Sequence, residues 1–569
     1  MARYRLRPRF CAPRWCAGTE LRTEPMSAHV NASDVLILGA GHNGLVCAAY
    51  LAAKGLRVRM LERRAVVGGA AVTESFWPGF RNSSASYTVS LLNPKIIAEL
   101  NLAEHGLRIV ERPYANFLPL PGGDSFRLLG GEAGITEVAR HSRRDAERLP
   151  DYYAMLERAV VVLRALSEMT PPNLGDRLNL ADWLASARVV RSLGALSLSQ
   201  RAEILDFFTK SAGDLLDQWF ECDALKAALG WDAVVGNFAS PYAPGTAYVL
   251  LHHVFGEVNG KPGAWGHAIG GMGAISEALA AECRARGVEI LTEAEVEKVE
   301  VHNGRASAAR LTDGRRYTAR VIAANLHPKL LLGRLLDADT LPPATQTRVA
   351  HHRNGSGTFR MNVALAALPD FIAAPGTTCA PHHQAGILIG PTLAYFERAW
   401  YDARSRAHNP GWARAPIVEL VISSTLDDSL APPGQHVASL FCQHVNPVLD
   451  DGWDVHRQTV AELMIDTVDQ MAPNFRASVL GYKAWSPADL EREFGLVGGD
   501  IFHGALGLDQ LFSARPLLGM ADYRMPVRGL YLCGAGAHPG GGVSGLPGRN
   551  AAREILKDLR RSRLFGTHA

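Results

Sequence analysis

The chain lacks the features that would tie it to a disulfide scaffold, a structural metal, a membrane span or a nucleic acid. Its eight cysteines, at 11, 16, 47, 222, 283, 379, 442 and 533, include no C-x-x-C pair and no metal-ligand spacing. That excludes a cysteine-rich zinc module and argues against a disulfide framework. No uninterrupted apolar run reaches 18 residues, so no segment reads as a transmembrane helix. There is no surplus of one charge sign, since 59 Lys+Arg stand against 56 Asp+Glu. A field that weak gives no reason to expect a nucleic-acid partner. Most of the surplus is local, with six arginines and two glutamates in residues 1–25. Three readings of this leader stay open: a transit-type segment (although Pro8 and Pro13 would interrupt its helix), a nucleic-acid arm, and an unstructured start before Met26. The expected compartment is a reducing one, cytoplasmic in a bacterium or the mitochondrial matrix in a eukaryote.

What is present begins at residue 34. Asp34–Leu38 is a short apolar β run, and residues 39–44 read Gly-Ala-Gly-His-Asn-Gly. A helical pattern follows over Leu45–Lys54 and is closed by Gly55; a second strand, Leu56–Leu61, ends at Glu62. Strand, glycine turn, helix, strand and acid stand in the order of a dinucleotide-binding unit. Gly39 permits the tight turn, Gly41 lets backbone approach a pyrophosphate, and Gly44 lets helix and strand pack closely. The helix start offers free N–H groups and a positive dipole end to phosphate. Glu62 can accept hydrogen bonds from both ribose hydroxyls and repels a 2′-phosphate, which argues against an NADP-type ligand. His42 and Asn43, at the variable positions, read as loop-shaping residues.

This unit alone does not separate NAD from FAD. The chain continues to Gly68 and Gly69. An acid followed six residues later by a glycine pair resembles the extended motif of glutathione-reductase-like flavoproteins. Near the C-terminus a strand, Leu530–Cys533, empties into a loop holding Gly534, Gly536, Gly540, Gly541, Gly542 and Gly545, and a helical run from Gly548 to Lys557 follows. So much glycine is entropically costly unless backbone must approach something closely. A helix start aimed at a flavin would stabilise its anionic reduced form. A third marker is Gly270-Gly-Met-Gly273, opening a helix. Together these motifs resemble the phytoene desaturase family of FAD enzymes across most of residues 34–557, least in 331–500. Ser240–Gly245, His252, His253 and Gly263–Gly266 resemble one branch of that family more closely still.

The resemblance implies FAD as the cofactor, held by Gly39, Gly41, Gly44, Glu62, Gly68, Gly69, Gly534 and Gly536. It also implies that Val296 contacts adenine through its backbone. His538 is the one titratable side chain the motifs put near the flavin, either to assist proton removal or to lock the turn before Pro539. His252, His253 and His267 are weaker candidates, and no metal site is expected.

The expected fold is α/β: a Rossmann-like, glutathione-reductase-like FAD-binding domain with an inserted helical and mixed-sheet substrate domain. The FAD domain is expected from 34–130, 261–330 and 501–569. A mainly helical insertion is expected over 131–260 and a mixed sheet over 331–500. Hairpins with type I′ turns are expected at Asn303-Gly304 and Asp313-Gly314. Met155, Ala159, Val162, Leu163 and Leu166 mark a helix core face, and Trp183, Phe207, Phe208 and Trp219 read as helical core.

These features imply hydride removal from an apolar or amine-containing small molecule. No redox cysteine pair follows Gly69 and no second complete dinucleotide unit is present, so a quinone, oxygen or another protein is the expected electron acceptor. Two alternatives stay open: a flavin-dependent isomerase, since carotenoid isomerases share the architecture, and a regulatory protein-binding flavoprotein related to Rab GDP-dissociation inhibitors. Phytoene is not the expected substrate. Peripheral membrane contact stays open.

Overall fold

The computed structural model describes residues 32–175, 180–404 and 410–565. The basic leader, with Cys11 and Cys16, lies outside them. The element that organises the chain is the strand Arg316–Ala324. On one side it pairs in parallel with Ala32–Leu38, and on the other its C-terminal half pairs in parallel with Leu530–Leu532. Val58–Leu61 and then Glu289–Leu291 extend the parallel set beyond Ala32–Leu38. Leu291, Leu61, Leu38, Ala324 and Leu532 therefore stand in one row across five strands drawn from both ends and the middle of the chain. Aliphatic runs such as Val35–Leu38 are buried on both faces, as parallel strands require. The helices His42–Ala52, Gly273–Ala285 and Leu546–Phe565 cover them.

The N-terminal half of Arg316–Ala324 carries an antiparallel meander, Arg305–Leu311 and then Val296–His302. Asn303 and Gly304 both take positive φ, 52° and 70°, as a type I′ turn demands. At the second turn only Gly314 (φ 88°) is left-handed. The Asp313 carboxylate instead accepts from the Arg315 backbone N–H at 2.9 Å, so that turn is not of type I′.

A second, mainly antiparallel sheet runs Val479–Trp485, Thr358–Leu365, His436–Val445, Trp412–Val421, Gly386–Ile389, Asn116–Pro119, Ser125–Leu128. Asn116–Leu128 thus joins the substrate sheet rather than the first FAD segment expected over 34–130. The helices Arg143–Ser167, Leu198–Thr209, Ala212–Trp219, Asp223–Val234 and Thr246–Val254 share one core with this sheet. On Arg143–Ser167 the buried stripe is Tyr152, Met155, Leu156, Ala159, Val160 and Leu163, with Val160 taking the place expected for Val162. Phe207 is core, whereas Trp183 is 62% exposed. Within the mixed sheet expected over 331–500, the strand Gly386–Ile389 gives way to the helix Leu393–Arg404, and the strand Val479–Trp485 had no alternating pattern to announce it. Among the described residues no helix is long and apolar enough to cross a membrane.

Candidate cofactor and substrate site

Ligands of open parallel sheets bind beyond the carboxyl ends of the strands, and the loops leaving the five-strand row do converge there. They wall a cavity with Gly39, Gly41, His42, Glu62, Gly69, Val296, Asn325 and Ala535. The helix His42–Ala52 begins at this cavity. Its N-cap is Gly41, no side chain caps it and no acid lies in its first turn, so its first N–H groups are left for an anion.

Glu62 is buried at 6% exposure. One carboxylate oxygen accepts from the Ala40 N–H (2.8 Å) and the other from the Arg64 N–H (3.0 Å). A carboxylate has about four acceptor sites, so two remain for hydroxyls. Val296 lines the same cavity, on the far side of Ala294, whose N–H donates to the Glu62 carbonyl.

The glycines divide into a lining set and a supporting set. A Cβ on Gly41 would stand 2.6 Å from Asn325 Nδ2, so this glycine is demanded by a neighbouring side chain as well as by any ligand. Gly44 lies behind the wall, its Cβ position 2.4 Å from the Gly39 carbonyl. The Gly68 N–H donates to the Ala40 carbonyl and brings Gly69 (φ 57°) against Gly41. Gly534 and Gly536 do not line the cavity. Their Cβ positions fall on Asn325 Oδ1 (2.7 Å) and Pro328 Cδ (2.6 Å), and Ala535 between them is the lining residue.

A second cavity adjoins the first. His42, Ala70, Leu496, His503 and Ala535 line both. Leu91, Val235, Trp265, Phe441 and Phe502 make its remaining wall largely apolar. Three of the polar groups there are committed to the protein: Ser86 Oγ donates to the Ala70 carbonyl, Thr88 Oγ to the Gly266 carbonyl, and the Tyr87 hydroxyl to Glu419. The Arg360 guanidinium lies 4.7 Å from the Tyr87 ring centroid and fixes that wall from behind.

At the junction, His42 Nε2 and His503 Nδ1 have no protein partner, and neither do the side-chain atoms of Asn43. Burial pushes both imidazoles down to about 4, against the Gly542 carbonyl at His42 and the Leu326 carbonyl at His503. They are neutral at pH 7. An uncapped helix start, glycines that leave no room for a Cβ, a buried carboxylate with spare acceptor sites and unpaired polar atoms along one connected space fit the FAD the motifs imply.

His538 is elsewhere. Its Nε2 contacts the Leu166 carbonyl at 2.9 Å, it lines neither cavity, and burial pushes it to about 4. It locks the loop. The helix start expected to face the flavin is also occupied, because Ser544 Oγ accepts from the Leu546 N–H and Gly548 packs onto the Asn43 carbonyl. Gly542 and Val543 line the second cavity instead.

His267 pairs with Asp427 at 3.0 Å, and Asp427 also holds the Gly270 N–H of the Gly-Gly-Met-Gly turn. His253 does line the second cavity, with Nδ1 on the Val249 carbonyl. Cys47 and Cys533 lie together in the core behind the cradle; they interact as neighbours, and neither reaches a cavity.

Three important residues had no motif to announce them. Asn325 follows the central strand. His503 sits at φ 56° in a loop stapled by Asp500, whose carboxylate accepts from the N–H groups of Gly355, Phe502 and Gly504. Arg515 is fully buried and donates to the carbonyls of Phe502, Gly504, Gln510 and Ala535. Burial pushes it down to about 10, so it stays charged at pH 7. The glycine density of residues 495–507 was the available signal for this loop.

A family model described as flavin containing amine oxidoreductase matches residues 44–365. The rat "Pyridine nucleotide-disulfide oxidoreductase domain-containing protein 2" is 41% identical over 548 residues, covering 93% of this chain and 94% of the relative. A limonene dehydrogenase polypeptide of Castellaniella defragrans is 25% identical, covering 94% of this chain and 96% of the relative. Among solved structures, cyclohexylamine oxidase from Brevibacterium oxydans superposes with a TM-score of 0.54 at 17% identity, covering 93% and 100%.

Proposed function

The chain belongs to the flavin-containing amine oxidoreductase family, whose cofactor is FAD, and we propose that it is a dehydrogenase taking hydride from an apolar small molecule held in the second cavity. One observation carries this reading: a chamber walled mainly by apolar side chains, with Ser86, Thr88 and Tyr87 already bonded within the protein, opens onto the cofactor cavity through His42 and His503. Such a wall binds by burial of apolar area and gives a strongly charged substrate no counter-ion. The relative named as a limonene dehydrogenase favours the apolar class over the amine class.

Bound FAD supplies the acceptor for a hydride. The protein supplies the rest. We assign the ribose hydroxyls to Glu62, the pyrophosphate to the start of the helix His42–Ala52 with Gly39, Gly41 and Gly69 around it, and adenine to Val296. Gly534 and Gly536 shape the loop that presents Ala535. Trp265, Phe441 and Phe502 keep water from the transfer, which strengthens every polar contact inside. His42 and His503, both neutral, give their N–H groups to the Gly542 and Leu326 carbonyls, and each offers the lone pair of its remaining ring nitrogen to the cofactor or the departing proton. Electrons leave to a quinone, oxygen or a protein.

The test is the visible spectrum of the purified protein before and after dithionite, followed by anaerobic addition of polyenes and amines. A flavin band that bleaches with dithionite and with an apolar compound supports the reading. Product formation without bleaching marks an isomerase. A protein that cannot be reconstituted with FAD overturns the reading, and rapid bleaching by NADPH overturns the acceptor assignment.

A further inference from the structure

A groove runs between the helices Arg143–Ser167, Leu180–Gly194 and Leu546–Phe565. It shares no lining residue with the cofactor cavity or the second cavity. One wall is apolar. Val161 and Ala165 stand one turn apart on the first helix, Val162 and Leu166 beside them, and Leu184 lines the groove from the second helix. Val161 is 57% exposed and Leu184 52%. The solvent side of a helix ordinarily carries polar side chains, and an apolar wall left open there marks a place where something binds.

The opposite wall is basic. Arg553, Lys557 and Arg561 recur every fourth residue, so they form one stripe of the C-terminal helix. At 1.5 Å per residue that stripe is about 12 Å long. Arg188 adds a fourth cation from the helix Leu180–Gly194. The acids of the groove are already engaged. Asp182 accepts from the Asn173 N–H at 2.9 Å, and Asp522 pairs with Arg524 at 2.8 Å. Glu554 receives both Arg524 (3.0 Å) and Lys557 (2.6 Å). Among the described residues, no carboxylate lies within ion-pair distance of Arg188, Arg553 or Arg561. Arg553 donates to the Glu168 carbonyl at 2.9 Å, a neutral partner that leaves its charge uncompensated.

We infer that this groove is a ligand site for a single amphiphile of the fatty-carboxylate class. Its chain lies along Val161, Ala165 and Leu184, and its anionic head sits among Arg188, Arg553 and Arg561. The inference is independent of the flavin assignments. The pairing of the two walls decides the class of occupant. A plain hydrocarbon gains nothing from the arginines, and a small anion such as phosphate gains nothing from the apolar wall. One molecule with both parts uses both, by burial of apolar area and by charge-assisted hydrogen bonds. A bilayer offers the same two chemistries on a flat surface, whereas these residues line the concave side of three helices. No lysine or arginine lines the second cavity, so that cavity does not compete for such a head.

The experiment is fluorescence titration of the purified holoprotein with dansyl-undecanoic acid, kept below its aggregation concentration. Unlabelled straight-chain carboxylates from hexanoate to dodecanoate then displace the probe. One saturable site is expected, with affinity rising roughly two- to fourfold per added methylene until the chain outgrows the groove. The methyl ester of the probe binds at least about fivefold more weakly, because the arginines lose their partner. Ala165→Trp, at an exposed position, fills the groove and abolishes displaceable binding while the flavin band and melting temperature are kept. The double variant Arg188→Gln/Arg553→Gln weakens binding of the acid by about four- to twentyfold and leaves the ester unchanged. Equal affinity for acid and ester overturns the inference, and so does unchanged binding in Ala165→Trp. Should Ala165→Trp lose its fold, the arginine double variant decides by whether it still separates acid from ester; a wild-type preference for the acid in that variant overturns the site. Flotation with phosphatidylglycerol vesicles and no binding of the monomeric acid overturns it in favour of a membrane surface.

Discussion

Replacing Glu62 by alanine separates the ribose assignment from a merely structural role. The carboxylate does two jobs, receiving the N–H groups of Ala40 and Arg64 and keeping two acceptor sites toward the cavity. Hydrogen bonds to a charged group contribute about 1.5–3 kcal/mol each. Water competes for ribose hydroxyls in the free ligand, so the low end applies, and two such bonds give about 3 kcal/mol. That corresponds to FAD binding weakened roughly 150-fold. The cost to the empty fold is smaller, because water entering the cavity can serve the two backbone N–H groups. Glu62→Gln restores little: its amide nitrogen would face one of those donors. The assay is titration of apoprotein with FAD, read by quenching of flavin fluorescence, with apoprotein melting measured in parallel. The expected result is a large loss of affinity with a fall of a few degrees in melting temperature. A dissociation constant within about threefold of wild type refutes the assignment.

Arg515→Met strips the donors from four buried carbonyls that tie the Phe502–Gln510 loop to Ala535. It is expected to cost about 3–5 kcal/mol, read as earlier flavin release in a thermal melt followed by flavin fluorescence; an unchanged release temperature contradicts it. Asp427 gives a pH signature. Burial opposes its ionisation, but His267, Ser429 and the Gly270 N–H outweigh burial and hold it below its ordinary 3.8. The folded value lies below the unfolded one, so the stabilisation is complete above about pH 4 and fades on acidification through the folded value. Asp427→Asn should therefore melt lower than wild type at neutral pH, with the gap closing in acid. A gap independent of pH contradicts the assignment.

The part of the site written in the sequence is the part built by contiguous residues. Gly39 to Glu62 is one strand–turn–helix–strand unit, and each glycine there answers a short-range steric demand, which a local pattern can carry. Asn325, His503 and Arg515 answer long-range demands. Asn325 is where four glycines from two distant segments (39, 41 and 44 in one, 534 in the other) meet, and no spacing rule in any one segment points to it. His538 misled for the complementary reason. Its neighbours Gly540 to Gly542 are squeezed by protein, Gly541 against Phe502 and Gly542 against Leu91, so glycine density there marks tight packing as much as a ligand. The second sheet was legible only as separate strands, because its fully buried members, such as Thr358–Leu365, do not alternate.

The central strand also imposes an order of manufacture. Arg316–Ala324 receives Ala32–Leu38 on one flank and Leu530–Leu532 on the other, so the strand that carries Ala535 to the cavity is among the last made. A ribosome that has released the first 500 residues has produced Glu62 and Val296, the residues proposed for ribose and adenine, but neither His503 nor Ala535. Such a chain could grip the nucleotide end of the cofactor while its reactive end stayed open to solvent. On the proposed assignments, closing the site over the reactive end of the cofactor waits for the finished polypeptide, and a chain stopped before Leu530 is expected to be made without a working redox centre.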